Sequence, residues 1–240
     1  MALQSGSGFD MTNSIRGTIN SSGLLTIHSG RHLVNDGITG GYTELDLSAA
    51  VVTNNGQIAS GGRLDVRATN RIHNSGLIFS AADMQLRADQ SLYNNRDIVS
   101  FGNATIENLS GGKAKQVDNV EGVIEADGTL MVRATSINNL GSLEIQTKTD
   151  GSHEYWHYPS NTKKQHHVLQ SYTDLNPNSH VQAYMGSRGN MTLDGHVYNH
   201  VSVLASGGDM HITGDVDNQG ADFIKHYHVT VHNWEVVGSN

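Results

Sequence analysis

The stretch that decides the fold is "NNGQIASGGRLDVRATNRIHN", residues 54–74. Its large aliphatic residues are Ile58, Leu64, Val66 and Ile72, and they stand among small, polar and glycine residues. Apolar residues two positions apart are typical of β-strands, because successive side chains leave opposite faces of a strand. The stretch therefore predicts short strands separated by tight corners.

The same pattern returns every 20 residues, as Ile58, Ile78 and Ile98 show. Each repeat reads Gly-x-Ile, five residues, apolar-x-apolar-x-small, and a final apolar-x-Asn. Earlier and later copies place the same residue types at Gly17, Ile19, Leu25, Ile27, Leu33, Ile38, Leu45, Leu47, Ala49, Gly122, Ile124, Leu130, Val132, Ala134, Ile137, Met185, Met191, Leu193, Val197, Leu204, Met210, Ile212 and Val216.

A repeat of this length predicts one turn of a coil. At roughly 3.3 Å per residue, a repeat spans about 65 Å, enough to go once around a three-sided coil that rises about 4.8 Å. Each coil buries its apolar side chains only when the next coil covers them, so the pattern has to recur. The predicted fold is an all-β, right-handed parallel β-helix with a non-repeat insertion around 146–180.

An asparagine closes each repeat. Asparagine tolerates left-handed backbone and hydrogen-bonds its own turn, and stacked asparagines form amide ladders. We therefore interpret these residues as structural corners: Asn35, Asn54, Asn74, Asn94, Asn139, Asn199 and Asn218.

The repeat predicts three sections. Residues 1–145 hold coils with a loop insertion at 108–118, residues 146–180 form an excursion without the repeat, and residues 181–240 hold further coils and a terminal strand. Alternating residues near the C-terminus predict that this strand covers or extends the coil: Tyr227, Val229 and Val231.

Composition excludes several classes of function. The net charge of −8 and pI near 5.9 disfavour binding to nucleic acid or to an anionic membrane. With no cysteine there is no thiolate metal site or thiol nucleophile, and no apolar run is long enough to insert into a membrane. We expect no cofactor.

The excursion is the best candidate for a recognition surface. It contains both prolines of the chain and a cluster of aromatic residues, and loops on rigid scaffolds often carry function. Tryptophan and tyrosine are favoured in binding hot spots. The candidate receptor-binding residues are Tyr155, Trp156, His157, Tyr158 and Tyr172; the alternative is that the aromatics pack the excursion onto the side of the β-helix.

Histidine is concentrated in the same half, where 11 of the 14 histidines lie between His153 and His232. His226 and His228 would point the same way about 7 Å apart in a strand, which resembles part of a zinc site. Neutral surface histidines or a pH sensor are the alternatives.

An outward column of charged residues follows the coils: Arg67, Arg87, Glu107 and Arg133. Glu107 is expected between two arginines, in ion pairs that are worth about 0–1 kcal/mol when exposed. Binding of an anionic ligand by Arg67 and Arg87 is the alternative.

Two phrases carry a resemblance to a known family: "NNGQIASGGRLDVRATNRIHNSGLIFSAADMQLRA" and "MGSRGNMTLDGHVYNHVSVLASGGDMHITGDVDN". They resemble the filamentous haemagglutinin repeats of two-partner-secreted exoproteins, which include adhesins and contact-dependent growth inhibition effectors. The resemblance implies a protein of Gram-negative bacteria, secreted through an outer-membrane transporter that acts on regions outside this chain, and displayed on the cell surface.

Three hypotheses follow. The leading one is a non-enzymatic module of a growth inhibition effector or adhesin that binds an outer-membrane protein or surface glycan of a target cell. The second is a purely structural spacer of the filament, or a host-cell adhesin segment that binds glycan. The third is an enzyme acting on polysaccharide, which is disfavoured because the outward columns do not gather the acids that such chemistry needs.

Overall fold

The computed structural model describes residues 1–149, 154–160, 163–176, 181–220 and 226–235. These residues form strands joined by short turns. In chain order the strands are β1 (Ala2–Gln4), β2 (Met11–Asn13), β3 (Thr18–Ser21), β4 (Leu24–His28), β5 (His32–Asn35), β6 (Ile38–Gly41), β7 (Glu44–Asn54), β8 (Gln57–Ser60), β9 (Arg63–Asn74), β10 (Leu77–Ser80), β11 (Met84–Ala88), β12 (Ser91–Asn94), β13 (Asp97–Ser100), β14 (Ala104–Glu107), β15 (Ala114–Val120), β16 (Val123–Ala126), β17 (Leu130–Leu140), β18 (Ile145–Thr149), β19 (Glu154–Ser160), β20 (Lys163–Leu175), β21 (Ala183–Ser187), β22 (Met191–His200), β23 (Ser202–Ser206), β24 (Met210–Thr213), β25 (Val216–Gln219) and β26 (Tyr227–Glu235).

The chain divides into two compact units. Residues 1–141 and 181–220 form the first unit, and residues 142–180 and 221–240 form the second. The first unit contains the repeats, and the second contains the excursion together with the C-terminal strand. No helix long and apolar enough to cross a membrane occurs in the part of the chain that the structure describes.

The first unit is a β-solenoid of about 10 turns, so the predicted parallel β-helix is confirmed. One coil runs through β8 and then through the two halves of β9, which lie on the second and third faces. Each strand pairs in parallel with its equivalents in the coils before and after it. The eight strands of the first face form one sheet, and a 14-stranded sheet wraps around the other two faces.

The core consists of columns of aliphatic side chains. Ile58, Ile78 and Ile98 pair in register on the first face and are fully buried. Leu64 and Met84 do the same on the second face. Burying one such side chain stabilises the fold by about 1.5–3 kcal/mol, so the regular register of the coils supplies most of the stability.

A second column, inside the solenoid, is made of asparagine amides. Each side-chain Nδ2 donates to the Oδ1 of the asparagine in the next coil at 2.7–2.9 Å, and several also donate to backbone carbonyls at the corner. The predicted ladder is therefore present, and it also includes two asparagines that the repeat pattern missed. Its members are Asn13, Asn35, Asn54, Asn74, Asn94, Asn119, Asn139, Asn199 and Asn218.

The corner asparagines do not use left-handed backbone, contrary to the sequence-based interpretation. Among the described non-glycine residues, positive φ occurs at Arg16, Glu121 and Val201. Asn54 instead stabilises the turn through its side-chain amide, which donates a hydrogen bond to the carbonyl of Gly56. The turn is thus held by a side-chain hydrogen bond, and a left-handed backbone conformation is not needed.

Ile38 is not the core residue of its coil. Ile38 pairs with Gln57, and it is Thr39 that pairs with Ile58 and is buried, while Ile38 is exposed. The Thr39 hydroxyl donates to Asn35 Oδ1 at 2.9 Å, so the ladder satisfies a polar group in a core column.

The loop insertion is shorter than the predicted 108–118. Strand β15 begins at Ala114, and Val117 is buried in register with Leu92. The loop is fastened to the coils because Lys113 Nζ lies 2.9 Å from Asp194 Oδ1. The second half of the predicted insertion is therefore an ordinary strand of a coil. Its polar residues conceal the repeat pattern in the sequence.

The solenoid continues in register across the excursion. Ile124 pairs with Met185, and Val132 pairs with Leu193, although the excursion separates them in sequence. A Cβ added to Gly141 would lie 2.8 Å from the carbonyl oxygen of Val181, so the two ends of the excursion are neighbours. The chain leaves the solenoid and rejoins it at nearly the same point.

Candidate binding site

The second unit is an antiparallel sheet built around β20. Strands β18 and β19 pair with successive parts of one edge of β20, and β26 pairs along its other edge. The C-terminal strand was expected to cover or extend the coil; its partner is β20, because its alternating residues complete this sheet. The excursion and the C-terminal segment, distant in sequence, thus build one surface together.

The hairpin of β19 and β20 explains the place of Pro159. Ser160 pairs with Lys163, and the register of β19 shifts between His157 and Ser160. Proline has no amide hydrogen to donate to a ladder, so it is found at edge strands and irregularities. β19 is such an edge, and the shift places Pro159 where no ladder bond is needed.

One face of the sheet carries a cluster of aromatic rings. Trp156, His166 and His232 pair across the three strands, so their side chains share a face. The ring centroids of Trp156 and His166 are 4.5 Å apart and nearly parallel. Trp234, two residues along β26, lies 5.4 Å from Trp156 and 5.9 Å from His232.

Beside this cluster lies an open depression of about 410 Å³, lined by Trp156, Tyr158, Lys164 and Trp234. The Lys164 ammonium lies 5.9 Å from the centre of the Tyr158 ring, within cation–π range. We call this group of four residues the aromatic face. It offers two indoles, a phenol and one positive charge to solvent.

The structure separates the predicted site residues into two groups. Trp156 and Tyr158 lie on the aromatic face. His157 lies on the opposite face, where its ring is 6.3 Å from that of His167. Tyr172 also lies away from the aromatic face and pairs with Tyr227, at 6.0 Å between ring centres. The backbone of Tyr155 pairs with His167, and its side chain lies outside the described residues.

Sequence reasoning missed Trp234 and Lys164. The alternation at Tyr227, Val229 and Val231 marks one face of β26, and the sequence did not assign Trp234, on the opposite face, to the binding site. A signal was present, since His228, Thr230, His232 and Trp234 alternate with them. What the sequence did not show is that β26 lies beside β20.

The profile of the haemagglutinin repeat matches residues 6–68, 59–108, 102–152 and 186–233. The chain belongs to the haemagglutinin-repeat family. The matched segments cover the coils of the solenoid and reach into both parts of the second unit. Neither a curated protein nor a solved structure matches the chain significantly.

Haemagglutinin repeats occur in secreted or surface-exposed filamentous proteins. A β-solenoid made of haemagglutinin repeats fits a segment of a filament or of an adhesin. This architecture is typical of structural and adhesive proteins rather than of enzymes. The identification thus agrees with the resemblance at the level of the repeat.

The two histidines proposed to bind a metal lie at the start of β26: His226 precedes the strand, and His228 is its second residue. The backbone amide of His226 donates to Thr173 Oγ1 at 2.9 Å, and His228 pairs with Ser171. Across the described residues, no group of three or more histidine, aspartate or glutamate side chains is placed to hold a metal ion. A third ligand for these two histidines is therefore not found in the described part of this haemagglutinin-repeat chain.

The charged column on the haemagglutinin-repeat coils forms ion pairs. Glu107 follows Arg87 in register, and its carboxylate lies 3.3 Å from Arg133 Nη1. Arg87 instead reaches Asp65 Oδ2 at 2.5 Å, and Arg63 lies 3.3 Å from the same oxygen. Asp65 is an outward residue that these arginines cover almost completely, which the sequence did not indicate.

Proposed function

We propose that this haemagglutinin-repeat segment is a non-enzymatic binding module of a secreted filament on the bacterial cell surface. In this proposal the solenoid is the stem, and the second unit recognises a receptor on a target bacterium, either an outer-membrane protein or a surface glycan. The full-length protein would be a contact-dependent growth inhibition effector or an adhesin, exported by an outer-membrane transporter that acts on regions outside this chain.

The aromatic face carries this proposal. Trp156, Tyr158 and Trp234 are 52%, 60% and 45% exposed. Clustered exposed aromatics are uncommon on soluble proteins unless they mark an interaction site. Tryptophan and tyrosine also dominate binding energy in interfaces, because they bury a large area at a small cost in side-chain entropy.

The face is partly organised before any ligand arrives. His166 stacks on Trp156, and the paired strands fix the spacing between Trp156 and Trp234. Rings that are already ordered lose little conformational freedom on binding, which favours affinity. This ordering of the rings favours a binding surface over exposed side chains without a function.

The test is binding of the fluorescently labelled chain to a panel of Gram-negative cells. Replacing Trp156 and Trp234 together by alanine should weaken binding at least tenfold. The matched control is Tyr227→Ala, which removes an equally exposed ring on the opposite face and should leave binding unchanged. Equal binding by all three proteins would overturn the assignment of the site.

The spacer hypothesis makes a different prediction for the same experiment. A spacer would bind none of the cells, with or without the substitutions. An enzyme would release soluble saccharide from cell-surface polysaccharide, which a reducing-sugar assay on the purified chain would detect. Selective binding without such release is the result that we expect.

A further inference from the structure

A groove on the third face of the solenoid has the composition of a ligand site. It lies over three successive coils between two outward columns, one of which is Asn138, Tyr198 and Asp217. The second column is Leu140, His200 and Gln219. These six residues line an open cavity of about 470 Å³, within the range of about 300–1,000 Å³ that small-ligand sites occupy.

The aromatic wall of the groove is held in place. Tyr198 is 41% exposed, and the edge of its ring meets His196 with 4.5 Å between ring centres and an angle of 69°. Leu140 supplies an apolar patch beside it. A fixed ring next to an aliphatic side chain can cover the hydrocarbon side of a flat, amphipathic ligand.

Hydrogen bonds to neighbouring side chains hold the polar groups of the groove in place. Gln219 Nε2 donates to Asp217 Oδ2 at 3.1 Å, which leaves the other carboxylate oxygen to accept from a ligand. Asn138 Nδ2 donates to Asp118 Oδ1 at 2.6 Å, and Ser136 donates to Asn138 Oδ1 at 3.1 Å. Carboxylate and amide groups hydrogen-bond hydroxyl groups, and Asp217 and Asn138 lie on either side of Tyr198 in its column.

The charge of the groove selects against anions. Asp217 is the one lining residue with a formal charge at neutral pH, and Asp118 extends the same column by a further acid. Lysine and arginine do not line this groove. A sulfated, phosphorylated or sialylated chain would meet like charge here, whereas an uncharged chain would not.

A peptide strand is also disfavoured. Strand β22 pairs with β17 on one edge and with β25 on the other, so its backbone amides and carbonyls are already used between coils. An added peptide strand gains its affinity from backbone groups at a free sheet edge. Along β22, the central strand of the groove, side chains alone are left to contact a ligand, which suits recognition through hydroxyl groups and a hydrocarbon face.

We propose that this groove binds an uncharged oligosaccharide, with one sugar ring against Tyr198 and its hydroxyl groups bonded to Asp217 and Asn138. The coils repeat at about 4.8 Å, so the two columns present the ligand with contacts at successive steps along the solenoid. The groove shares no residue with the aromatic face, and the inference does not depend on the proposed function.

The test is an array of uncharged oligosaccharides, printed beside their sulfated and sialylated counterparts and probed with the intact chain. Bound sugars are then titrated by calorimetry. We expect binding of at least one uncharged oligosaccharide, weakened tenfold or more by Tyr198→Ala and by Asp217→Ala. Tyr42→Ala is the matched control, since Tyr42 is 74% exposed and lies elsewhere on the solenoid.

Three outcomes would overturn the inference. They are binding of no uncharged sugar, binding of anionic sugars alone, and equal loss of binding in the Tyr42 variant. The double variant of Trp156 and Trp234 separates this site from the aromatic face. Sugar binding should survive that double variant, so failure of either proposal can be recognised without the other.

Discussion

Asn139 donates from its side-chain amide to the side-chain oxygen of Asn199 at 2.9 Å, although 60 residues separate the two positions. This bond spans the whole excursion and continues the asparagine ladder without a gap. The excursion therefore leaves the solenoid without disturbing the stacking of the coils. A stem that tolerates such an insertion can display a second folded unit at little structural cost, as long insertions at a surface generally allow.

The ladder should be essential for stability. Asn119 donates to the side chain of Asn139 and to the carbonyls of Gly122 and Tyr184, and it accepts from Asn94. Asn119→Ala should lower the free energy of unfolding by roughly 2–4 kcal/mol, because buried partners lose their hydrogen bonds.

Chemical denaturation measures this loss, with Asn95→Ala as the control. Asn95 is exposed at the equivalent corner of the preceding coil, so its replacement should change stability by less than about 0.5 kcal/mol. Similar losses in the two variants would contradict a structural role for the ladder.

Close contact between coils at the glycine corners is a second test. A Cβ on Gly76 would lie 2.0 Å from the carbonyl oxygen of Gly56 in the preceding coil, so Gly76→Ala must push two coils apart. We expect the free energy of unfolding to fall by about 1–3 kcal/mol, the usual cost of overpacking.

Gly23→Ala is the matched control for this corner. No atom lies within 4 Å of the position that its Cβ would take, so the substitution should be neutral or slightly stabilising. The midpoints of thermal unfolding of the two variants provide the comparison, and a stable Gly76 variant would show that the coils are further apart than described.

Asp65 should matter more than its outward position suggests. Its side chain is 3% exposed, and Arg63 and Arg87 both contact it. Asp65→Asn should destabilise the solenoid by roughly 1–3 kcal/mol, less than the loss for a fully buried ion pair because the arginines are partly exposed.

Urea titration of this variant should be compared with that of Asp97→Asn, which changes an exposed acid on the first face. If both variants unfold at the same urea concentration, the ion pairs between Asp65 and the two arginines do not stabilise the solenoid, and the prediction is wrong.

The imidazole of His73 should titrate at unusually low pH. Burial lowers the pKa of His73 below its ordinary value of 6.5, and the positive charge of Arg71 lowers it further. The folded state then binds fewer protons than the unfolded state, so stability rises with pH between the folded pKa and about 6.5.

NMR titration of the His73 ring measures this pKa directly. Arg71→Gln should raise it, and Tyr93→Ala should raise it too, because the Tyr93 ring stacks on His73 at 4.8 Å and shields it from water. A midpoint at or above 6.5 in the unmodified chain would contradict the prediction.

The sequence predicts the solenoid well because each coil repeats the same local physics. The columns of Ile58 and Leu64 follow from spacing alone, since identical coils must stack in register. Thr39 was missed because a hydroxyl in a core column looks polar until its bond to Asn35 is known. Strand β15 was missed because its apolar residues, Ala114, Val117 and Val120, stand three positions apart and do not alternate.

The candidate site could be predicted only in part. Trp156 and Tyr158 stand out in a segment without repeats, and they do share a face. The contribution of Trp234 depends on pairing between segments that are far apart in sequence, and a single sequence carries no signal for such pairing. Tyr172 and Trp156 lie on opposite faces because the register of β20 and β26 shifts between Leu169 and Ser171. The sequence gives no sign of this shift.

The most direct test of the account compares two labelled proteins on the panel of Gram-negative cells. One is the intact chain, and the other joins Gly141 to Val181 and ends at Gly220, which removes the second unit and keeps the coils. The account predicts that the intact chain binds some strains selectively, and that the shortened chain loses this selectivity although its coils still unfold cooperatively. Equal binding by both proteins, or binding by neither, would contradict it.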